Sequence, residues 1–422
     1  MPRPGISTPV LVLNTGHHGG LGVARSLGSM GVPVHLVDAK RRDPASTSRY
    51  CRSHSQWDFD SATTEESIDF LLQSARRLGG RPLLLPTSDH TTLFLVANAE
   101  RLKPEFLFPD QPEETVRALT NKASLFHLAK SHGIPTPETF FPQSKNDLAD
   151  FLEAATFPLM LKAIDYGLLG PEVQPKSIVS DRSELLLQYD RMQGPHQPNL
   201  VIQEYIPGGE DSSWIFNGYF DQRSECLFGM TGKKIRQCPV FTGVASLAVC
   251  LRNDAVREMT LRWMKAIAYK GILDLGYRYD RRDGQYKVFD VNPRLGCTFR
   301  LFVGDNGMDV ARAWYLDLTG QDVPSANVPE GRKWIVEDYD VVSALRHIRS
   351  GNLTLGNWLR SLRGVREAAV FSLKDPLPGF SILAQDATEL AGRLGRRGKP
   401  PGRERQPSAP GCLSGGQLED RR

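Results

Sequence analysis

The sequence of 422 residues predicts a chain of mixed α/β and α+β class, with an N-terminal parallel α/β domain, a larger central domain and a small C-terminal appendage. Three observations predict this class. The chain opens with a strand, a glycine-rich turn, a helix and a second strand; a polar hairpin is predicted at residues 271–300; and little apolar material follows residue 386. The expected divisions are 1–112, 113–325 with lobes 113–205 and 206–325, 326–385, and a disordered tail at 386–422.

The composition excludes several classes of protein. No stretch of about 18 apolar residues occurs, so we expect neither a membrane span nor a signal sequence, and the predicted location is cytoplasmic. Residues 391–422 hold eight Lys or Arg and three Asp or Glu, a net of +5 within a total of +4, so the remainder carries about −1. A nearly neutral body argues against nucleic-acid binding. The six cysteines lack paired spacing, which argues against a zinc site or disulfides.

The N-terminal segment has the pattern of a right-handed βαβ unit. An apolar run, Pro9–Thr15, is followed by the turn Gly16–Gly22, a helical pattern and a strand that ends in Asp38. Glycines allow close approach to a helix N-terminus, and an acid after the second strand is typical of Rossmann-like dinucleotide sites. The turn has the pattern G-x-x-G-G-x-G, which departs from the dinucleotide motif, so a simple tight turn remains an alternative.

Two further parallel strands are predicted at Leu83–Leu85 and Phe106–Phe108. Ligands of open α/β sheets bind beyond the carboxyl ends of the strands. Polar residues that follow the predicted strands are therefore candidates for a substrate site, with capping and turn formation as the alternative: His17, His18, Ser88 and Asp89.

The most informative stretch is the hairpin at residues 271–300, in which an Asp-Gly pair separates two strand-like runs. Its second strand ends in DVNPR. Asp290 and Asn292 alternate onto one face, and Pro293 ends the ladder beside Arg294. Carboxylate and amide oxygens suit Mg²⁺, and a guanidinium suits a phosphate oxygen. These residues therefore predict a Mg-nucleotide site, with an ordinary solvated hairpin as the alternative.

The register of the hairpin decides whether Asp274 joins this site. A two-residue turn at the Asp-Gly pair would place Asp274 on the opposite face. A three-residue turn at 282–284, with a left-handed glycine, pairs Gly276 with Asp290 and Asp274 with Asn292. We predict the three-residue turn because it brings the oxygens together.

The motif Asp290–Arg294 resembles the acid-x-Asn-Pro-Arg signature of the ATP-grasp superfamily, whose members activate carboxylates with ATP. The resemblance implies a two-lobed ATP-grasp domain with ATP and Mg²⁺ as cofactors, metal ligands at Asp290 and Asn292, and a catalytic arginine, Arg294. The family usually places another acid where this chain has Gly276. Asp274, two residues earlier, is its expected substitute.

Other segments match the family in the same order along the chain. The apolar strand Phe157–Lys162 ends in a lysine. Because lysine is rarely buried without a partner, we expect Lys162 to bind an anion. The resemblance makes Lys162 a catalytic, phosphate-binding residue and Lys122 a second phosphate contact. Residues 165–176 take the place of the phosphate lid, with Lys176 as a helper.

The strand before residue 207 resembles the linker between the two ATP-binding lobes. The resemblance implies adenine contacts at Glu204, Tyr205 and Ile206, and a ribose contact at Glu210. The cationic run Gly232–Arg236 supplies Arg236 as a catalytic candidate for the substrate carboxylate or the acyl phosphate, with a solvated surface as the alternative.

The predicted function is a Mg-ATP-dependent ligase that converts a small-molecule carboxylate to an acyl phosphate and joins it to an amine, or less readily a thiol, with release of ADP and phosphate. Two alternatives remain. A nicotinamide-dependent oxidoreductase would use the N-terminal turn and Asp38, and a catalytically silent ATP-binding regulator would explain Gly276. We expect no nucleic-acid or membrane partner, and a homodimer is left open.

Overall fold

The structure is a computed structural model that describes residues 6–41, 43–164, 169, 173–174, 176–192, 199–209, 212–240 and 243–382. Three sheets organise this part of the chain: a four-stranded parallel sheet, a four-stranded antiparallel sheet and a seven-stranded sheet. None of the helices described is long and apolar enough to cross a membrane.

The N-terminal sheet is parallel, in the order β3-β2-β1-β4, which agrees with the predicted Rossmann-like domain. Its elements are β1 (Val10–Leu13), α1 (His18–Gly28), β2 (Val34–Asp38), β3 (Cys51–Gln56), α2 (Thr64–Leu78), β4 (Leu83–Pro86), α3 (Asp89–Ala97) and α4 (Ala99–Leu102). The strand predicted at Phe106–Phe108 is wrong as a strand, because only a single bridge joins Leu107 to Leu83. Central β1 is buried along its whole length, which is why the sequence there is continuously apolar.

The next unit carries the antiparallel sheet, in the order β5-β8-β6-β7. Its elements are α5 (Glu113–Thr120), α6 (Lys122–Ser131), β5 (Thr139–Phe140), α7 (Lys145–Ala154), β6 (Leu159–Ala163), β7 (Lys176–Val179), α8 (Arg182–Met192) and β8 (Leu200–Glu204). Leu161 and Ile202 of the central strands pack with Leu185 of α8 in a separate small core. This core holds β6 and β8 side by side, so residues at their ends lie next to each other.

The seven-stranded sheet has the order β13-β12-β9-β10-β11-β14-β15. Its region contains β9 (Ser213–Phe220), β10 (Cys226–Cys238), β11 (Val244–Cys250), α9 (Asp254–Ala266), β12 (Gly271–Asp280), β13 (Gln285–Asn292), α10 (Val310–Leu318), β14 (Lys333–Ile335), α11 (Glu337–Arg349), α12 (Leu355–Ser361) and β15 (Val365–Ala368). Trp263 of α9 packs on one face of this sheet. On the other face, Trp314 of α10 joins a core that includes Val12 and Leu36 of the N-terminal sheet. That shared core holds the N-terminal domain against the predicted hairpin.

Candidate active site

The hairpin of β12 and β13 has the predicted pairs at the site but a different turn. Asp274 pairs with Asn292 and Gly276 with Asp290. The turn has four residues, 281–284, instead of the predicted three, because the backbone N–H of Gly284 donates to the carbonyl of Asp280 at 2.8 Å. The left-handed glycine is confirmed, with φ of 71°. A register shift near the site compensates for the longer turn, so the oxygens still share a face.

The same register shift explains why the chain has glycine at position 276. The shift leaves Phe289 as the extra residue on β13, and its ring lies over Gly276. A Cβ at position 276 would lie 2.9 Å from Cζ of Phe289. An acid at this position, as the family usually has, would require the aromatic ring to move.

Asp274 is the acid that lies on the site face of β12. The pKa of its carboxyl is raised to about 6, mainly by burial, with the charge of Arg294 opposing the rise and that of Asp290 adding to it. The Nδ2 amide of Asn217, on the neighbouring strand β9, donates to Asp274 Oδ1 at 3.4 Å. Gly296 covers the carboxylate closely, since a Cβ there would lie 2.3 Å from Cγ of Asp274. Asp274 as a metal ligand stays a prediction.

Arg294 is held by an acid from the N-terminal domain. Its Nε donates to Oδ1 of Asp89 at 2.6 Å, and both side chains are buried. Its Nη2 donates to Oδ1 of Asn292 at 3.2 Å, and Asn292 Nδ2 donates to Asp290 Oδ2 at 3.3 Å. The structure therefore joins four of the predicted site residues in one polar chain.

Lys162, at the end of β6, lies against β8 and has a neutral partner there. Its Nζ donates to Oε1 of Gln203 at 2.6 Å. The Gln203 amide is oriented by Thr139, which accepts from Nε2 at 3.0 Å and donates to the carbonyl of Pro137 at 2.8 Å. The pKa of Lys162 is lowered to about 7, mainly by burial and then by the positive charges of Lys176 and Lys122.

The two predicted helper lysines lie near Lys162. Lys176 pairs with Lys162 across β6 and β7 and is exposed. Asn121 caps α6 by accepting from two backbone N–H groups, which places Lys122 at the start of the helix. Lys122 Nζ donates to the carbonyl of Ala163 at 3.3 Å. Three cations in a partly enclosed space favour a polyanionic ligand.

A cleft brings these groups together. Lys122, Lys162, Asp290 and Asn292 line one part of it. Further polar residues and several apolar side chains also line it, the apolar ones including Leu119, Leu125, Phe126, Val201 and Val288. A pocket that combines apolar walls with a few charged groups has the character of a nucleotide site.

Glu204 follows Gln203 and is engaged by cations of the hairpin. Its carboxylate lies 3.2 Å from Nζ of Lys287 and also pairs with Arg282. Both cations also bind Asp280, and the hydrogen bonds from Arg282 are the main reason that the pKa of the Asp280 carboxyl lies well below its usual range. The carboxylate of Glu204 is thus engaged by these cations, and the predicted adenine contact of Glu204 stays a prediction.

The residues after Glu204 are held by Arg278 of β12. Its guanidinium lies 5.6 Å from the ring centroid of Tyr205 and donates to the carbonyl of Ile206 at 2.8 Å. A second donor of Arg278 reaches the carbonyl of Gly208 at 2.7 Å. The predicted linker is thus attached to the hairpin. Glu210, the predicted ribose contact, lies outside the described residues.

The structure does not join Arg236 to the hairpin. Its guanidinium donates twice to Asp340 of α11, at 2.8 Å each, and once to Ser361, and the pair is buried. Register shifts on both sides of Arg236 in β10 account for this departure from the expected alternation. Arg236 therefore has a structural partner in the region predicted as the C-terminal appendage, and this pairing argues against its predicted role at the substrate carboxylate.

Lys234 is the cation of this run that shares the site face. Gly232 of β10 pairs with Ile215 of β9, so these two residues share one face of the sheet. Lys234 lies two residues after Gly232, and Asn217 lies two residues after Ile215, so both lie on that same face. Asn217 in turn pairs with Asp274. The charge of Lys234 lowers the pKa of Asp274, which agrees with their proximity.

Two of the four N-terminal candidates for the substrate site, His17 and Ser88, cap helices, which was the alternative to a role in substrate binding. His17 caps α1, with Nδ1 accepting from the N–H of Gly19 at 3.0 Å, and Ser88 caps α3. His18 lies against the ring of Trp334, with centroids 5.4 Å apart. Asp89 bonds to Arg294 of the hairpin stretch, and His17 also reaches that stretch, since its Nδ1 lies 3.5 Å from Sγ of Cys297.

Asp38 also has a structural partner. Its carboxylate accepts the backbone N–H of Gly16 at 2.6 Å, and a Cβ at Gly16 would lie 2.9 Å from the same oxygen. Asp38 thus stabilises the glycine-rich turn. The nicotinamide alternative needed this acid for a ribose, and it loses that support.

Two residues of the site were missed by the sequence analysis. Gln203 was treated only as part of an apolar strand. A glutamine in a buried strand needs a hydrogen-bond partner, which could have identified it as a site residue. Asn217 is fully buried on β9, and its Oδ1 has no hydrogen-bond partner among the described residues. An amide inside an aromatic strand could have been noticed on the same ground.

The metal prediction rests on oxygen ligands alone. Across residues 6–382, as far as these are described, no group of three or more His, Cys, Asp or Glu could hold an ion. The hairpin offers two carboxylates, Asp274 and Asp290, and the amide of Asn292, and Asn217 adds a buried oxygen with no partner. Such a set fits Mg²⁺, which keeps waters and phosphate oxygens in its shell, better than zinc.

Curated relatives match part of the chain, whereas no protein-family model matches it. D-aspartate ligase of Enterococcus faecium (strain Aus0004) is 24% identical over 240 residues, which cover 54% of this chain and 57% of that protein. The carbamoyl phosphate synthase large chain of Methanosphaerula palustris is 24% identical over 249 residues, 56% of this chain and 22% of that protein. The chain thus matches less than two thirds of the length of either relative.

Solved structures match more of the chain. An ADP complex of N5-carboxyaminoimidazole ribonucleotide synthetase has a TM-score of 0.61 at 10% identity, over 82% of this chain and 85% of that one. An L-amino acid ligase from Bacillus licheniformis has a TM-score of 0.58 at 15% identity, over 77% and 78%. These structures share the fold of this chain, and the sequence relatives agree with the ATP-grasp resemblance of the hairpin motif. The predicted enzyme class, a ligase, agrees with the names of these relatives.

Proposed function

We propose that the chain is a cytoplasmic Mg-ATP-dependent ligase that activates a small-molecule carboxylate as an acyl phosphate and joins it to an amine. The observation that carries the proposal is a cleft lined by Lys162 of β6 and by Asp290 and Asn292 of β13, with Arg294 bonded to Asn292. The proposed nucleotide-binding lobes are residues 113–205 and 206–325. The relatives named as amino acid ligases support amino acids as the substrate class.

The proposed reaction has two steps. A carboxylate oxygen of the first substrate attacks the γ-phosphorus of ATP, the bond to the β-phosphate oxygen breaks, and ADP leaves. The amine nitrogen of the second substrate then attacks the carbonyl carbon of the acyl phosphate. The carbon–oxygen bond to phosphate breaks, inorganic phosphate leaves, and the nitrogen loses a proton to give an amide.

The chain's own groups supply charge and orientation for these steps. Lys162 and Arg294 stabilise the negative charge on the transferring phosphate, and their partners Gln203 and Asp89 fix their positions. Asp274, Asp290 and Asn292 would hold Mg²⁺, which when bound neutralises phosphate charge. Fixed donors cost no reorganisation during the reaction, so their placement lowers the barrier.

Lys234 is the proposed contact for the substrate carboxylate. It shares the site face with Asp274, whereas Arg236 is paired with Asp340. A flexible ammonium suits a carboxylate that must approach, react and leave as part of an acyl phosphate. This assignment replaces Arg236 with Lys234 in the proposed site.

The function is tested by measuring ADP and phosphate release from Mg-ATP with pools of amino acids, other small carboxylates and amines. We expect release that depends on both substrates and is lost in Asp290→Ala. Asp322→Ala, which changes an exposed acid, is the matched control and should retain the rate. ATP binding without turnover in any pool would favour the silent regulator, and no ATP binding would refute both.

A further inference from the structure

Helix α11 has the reverse of the usual pattern for a surface helix. Its buried face carries the polar residues Asp340, Ser343 and His347. Its outer face carries Val341, Val342 and Leu345, whose side chains are 42% to 47% exposed. Surface helices normally bury their apolar stripe and expose the polar one. Within the described residues of one copy, the apolar stripe of α11 is turned outward and is left exposed.

The buried polar face is fully integrated in the structure. Asp340 accepts two hydrogen bonds from Arg236 at 2.8 Å each, one from Trp358 at 2.9 Å and one from Ser246 at 3.2 Å. These bonds fix the rotation of the helix about its axis. The helix cannot turn its apolar stripe inward without leaving Arg236 buried and unpaired, which is strongly unfavourable.

The stripe is flanked by opposite charges at its two ends. Exposed Asp338 lies one turn before Val341 and Val342, and exposed Arg349 lies one turn after Leu345. A two-fold axis centred between residues 343 and 344 would place Val342 against the partner's Leu345. The same axis would place Asp338 against the partner's Arg349. The surface is thus complementary to itself in an antiparallel pairing, as an isologous interface requires.

We infer that this chain forms a homodimer through α11, in which the stripes of two copies pack antiparallel with Asp338 and Arg349 paired across the axis.

The oligomeric state of the full chain tests this inference, by sedimentation velocity at about 1 to 100 µM, where a dimer with a micromolar dissociation constant becomes populated. We expect a dimer for the wild type. Leu345→Glu should raise the dissociation constant by about tenfold or more, because it places two charges in an apolar contact. Leu187→Glu on α8, an equally exposed leucine elsewhere, is the control and should leave it unchanged.

A charge exchange makes the test specific to the proposed geometry. Asp338→Arg alone and Arg349→Asp alone each place like charges across the axis, so each variant should be monomeric or weakened. A mixture of the two variants should form a heterodimer, because both pairs are then restored. A wild type that stays monomeric throughout, or a dimer that all of these changes leave intact, would overturn the inference. Unchanged circular dichroism would exclude misfolding as the cause of dissociation.

Discussion

The carboxylate of Asp89 accepts a hydrogen bond from Nε of Arg294 at 2.6 Å, although the two residues are 205 positions apart. Asp89 begins α3 of the N-terminal domain, and Arg294 follows the last strand of the hairpin. The ion pair therefore joins the two domains at the point where phosphate chemistry is proposed. Nη2 of Arg294 donates to Asn292, and Nη1 of Arg294 donates to the carbonyl of Leu295.

Asp89→Asn should lower both stability and activity. The change leaves the buried guanidinium of Arg294 without its counter-ion, which typically costs about 3 kcal/mol. We expect a lower urea midpoint and a fall in kcat of about tenfold or more, as Arg294 loses its orientation. Glu65→Gln removes one partner of the exposed pair with Arg101 and should change neither quantity. A variant with wild-type kcat would show that Asp89 does not orient Arg294 for the reaction.

Gln203→Glu should weaken ATP binding more than it lowers kcat. A carboxylate at this position would form an ion pair with Lys162 and compete with the phosphates, whereas the amide leaves the lysine charge available. We expect the dissociation constant for ATP, measured by calorimetry, to rise by about tenfold or more, the equivalent of 1.4 kcal/mol. Gln143→Glu, at an exposed site, is the control. Unchanged affinity would mean that Gln203 does not set the charge environment of Lys162.

ATP binding at pH 8 should take up protons. The pKa of Lys162 is lowered to about 7, so this group is largely neutral at pH 8 before the nucleotide binds. A phosphate beside it favours the ammonium form, and the lysine then gains a proton. Calorimetry in buffers of different ionisation enthalpy measures the uptake. Lys162→Arg, which stays charged, should abolish it. Equal uptake in both proteins would place the proton elsewhere.

The same lowered pKa predicts how stability depends on pH without ATP. Between about pH 7 and 10.5 the unfolded chain holds the Lys162 proton and the folded chain does not, so the free energy of unfolding should rise with pH across this window. Lys162→Met should flatten this part of the curve. A wild-type curve that matches that of Lys162→Met would contradict the burial of an uncompensated ammonium.

Gly276→Ala should destabilise the hairpin through contact with Phe289. The added methyl would lie 2.9 Å from the ring, and such overpacking costs about 1 to 3 kcal/mol. In Phe289→Ala the same glycine substitution should be nearly neutral. A double-mutant cycle by urea unfolding measures this coupling. Additive effects would mean that the aromatic ring is not the reason for glycine at this position.

Lys234→Met and Arg236→Met should have different effects. Lys234→Met should raise the KM for the carboxylate substrate by about tenfold or more while ATP affinity is kept, since it removes a charge contact. Arg236→Met leaves Asp340 buried without its partner and should mainly lower the urea midpoint. If Arg236→Met raised the KM for the carboxylate substrate and left stability intact, the proposal that Lys234 and not Arg236 contacts the substrate carboxylate would be wrong.

Local patterns in the sequence predicted the hairpin well. The alternation of Asp290 and Asn292 and the pairing of Asp274 with Asn292 follow from strand periodicity and are observed. The turn length was wrong because hydrogen bonding within residues 280–284 determines it, and the compensating bulge depends on how Phe289 packs. Neither feature has a signal in the order of the residues.

Long-range partners could not be predicted from the sequence. Arg236 fitted a substrate contact as long as β10 was assumed to alternate regularly, and only the register shifts bring it to Asp340. Asp89 was found as a polar residue after a strand, but its pairing with Arg294 depends on how the domains pack. Such contacts are tertiary, and a single sequence without an alignment of homologues does not reveal them.

The transfer of an oxygen atom tests the central claim most directly. If the substrate carboxylate attacks ATP, a carboxylate labelled with ¹⁸O must pass one labelled oxygen to the inorganic phosphate in each turnover. The measurement is mass spectrometry of the phosphate released by the wild type, with Asp290→Ala as the control. We predict one ¹⁸O in each phosphate from the wild type and no substrate-dependent release from the variant. Unlabelled phosphate, or release of AMP and pyrophosphate, would contradict activation through an acyl phosphate.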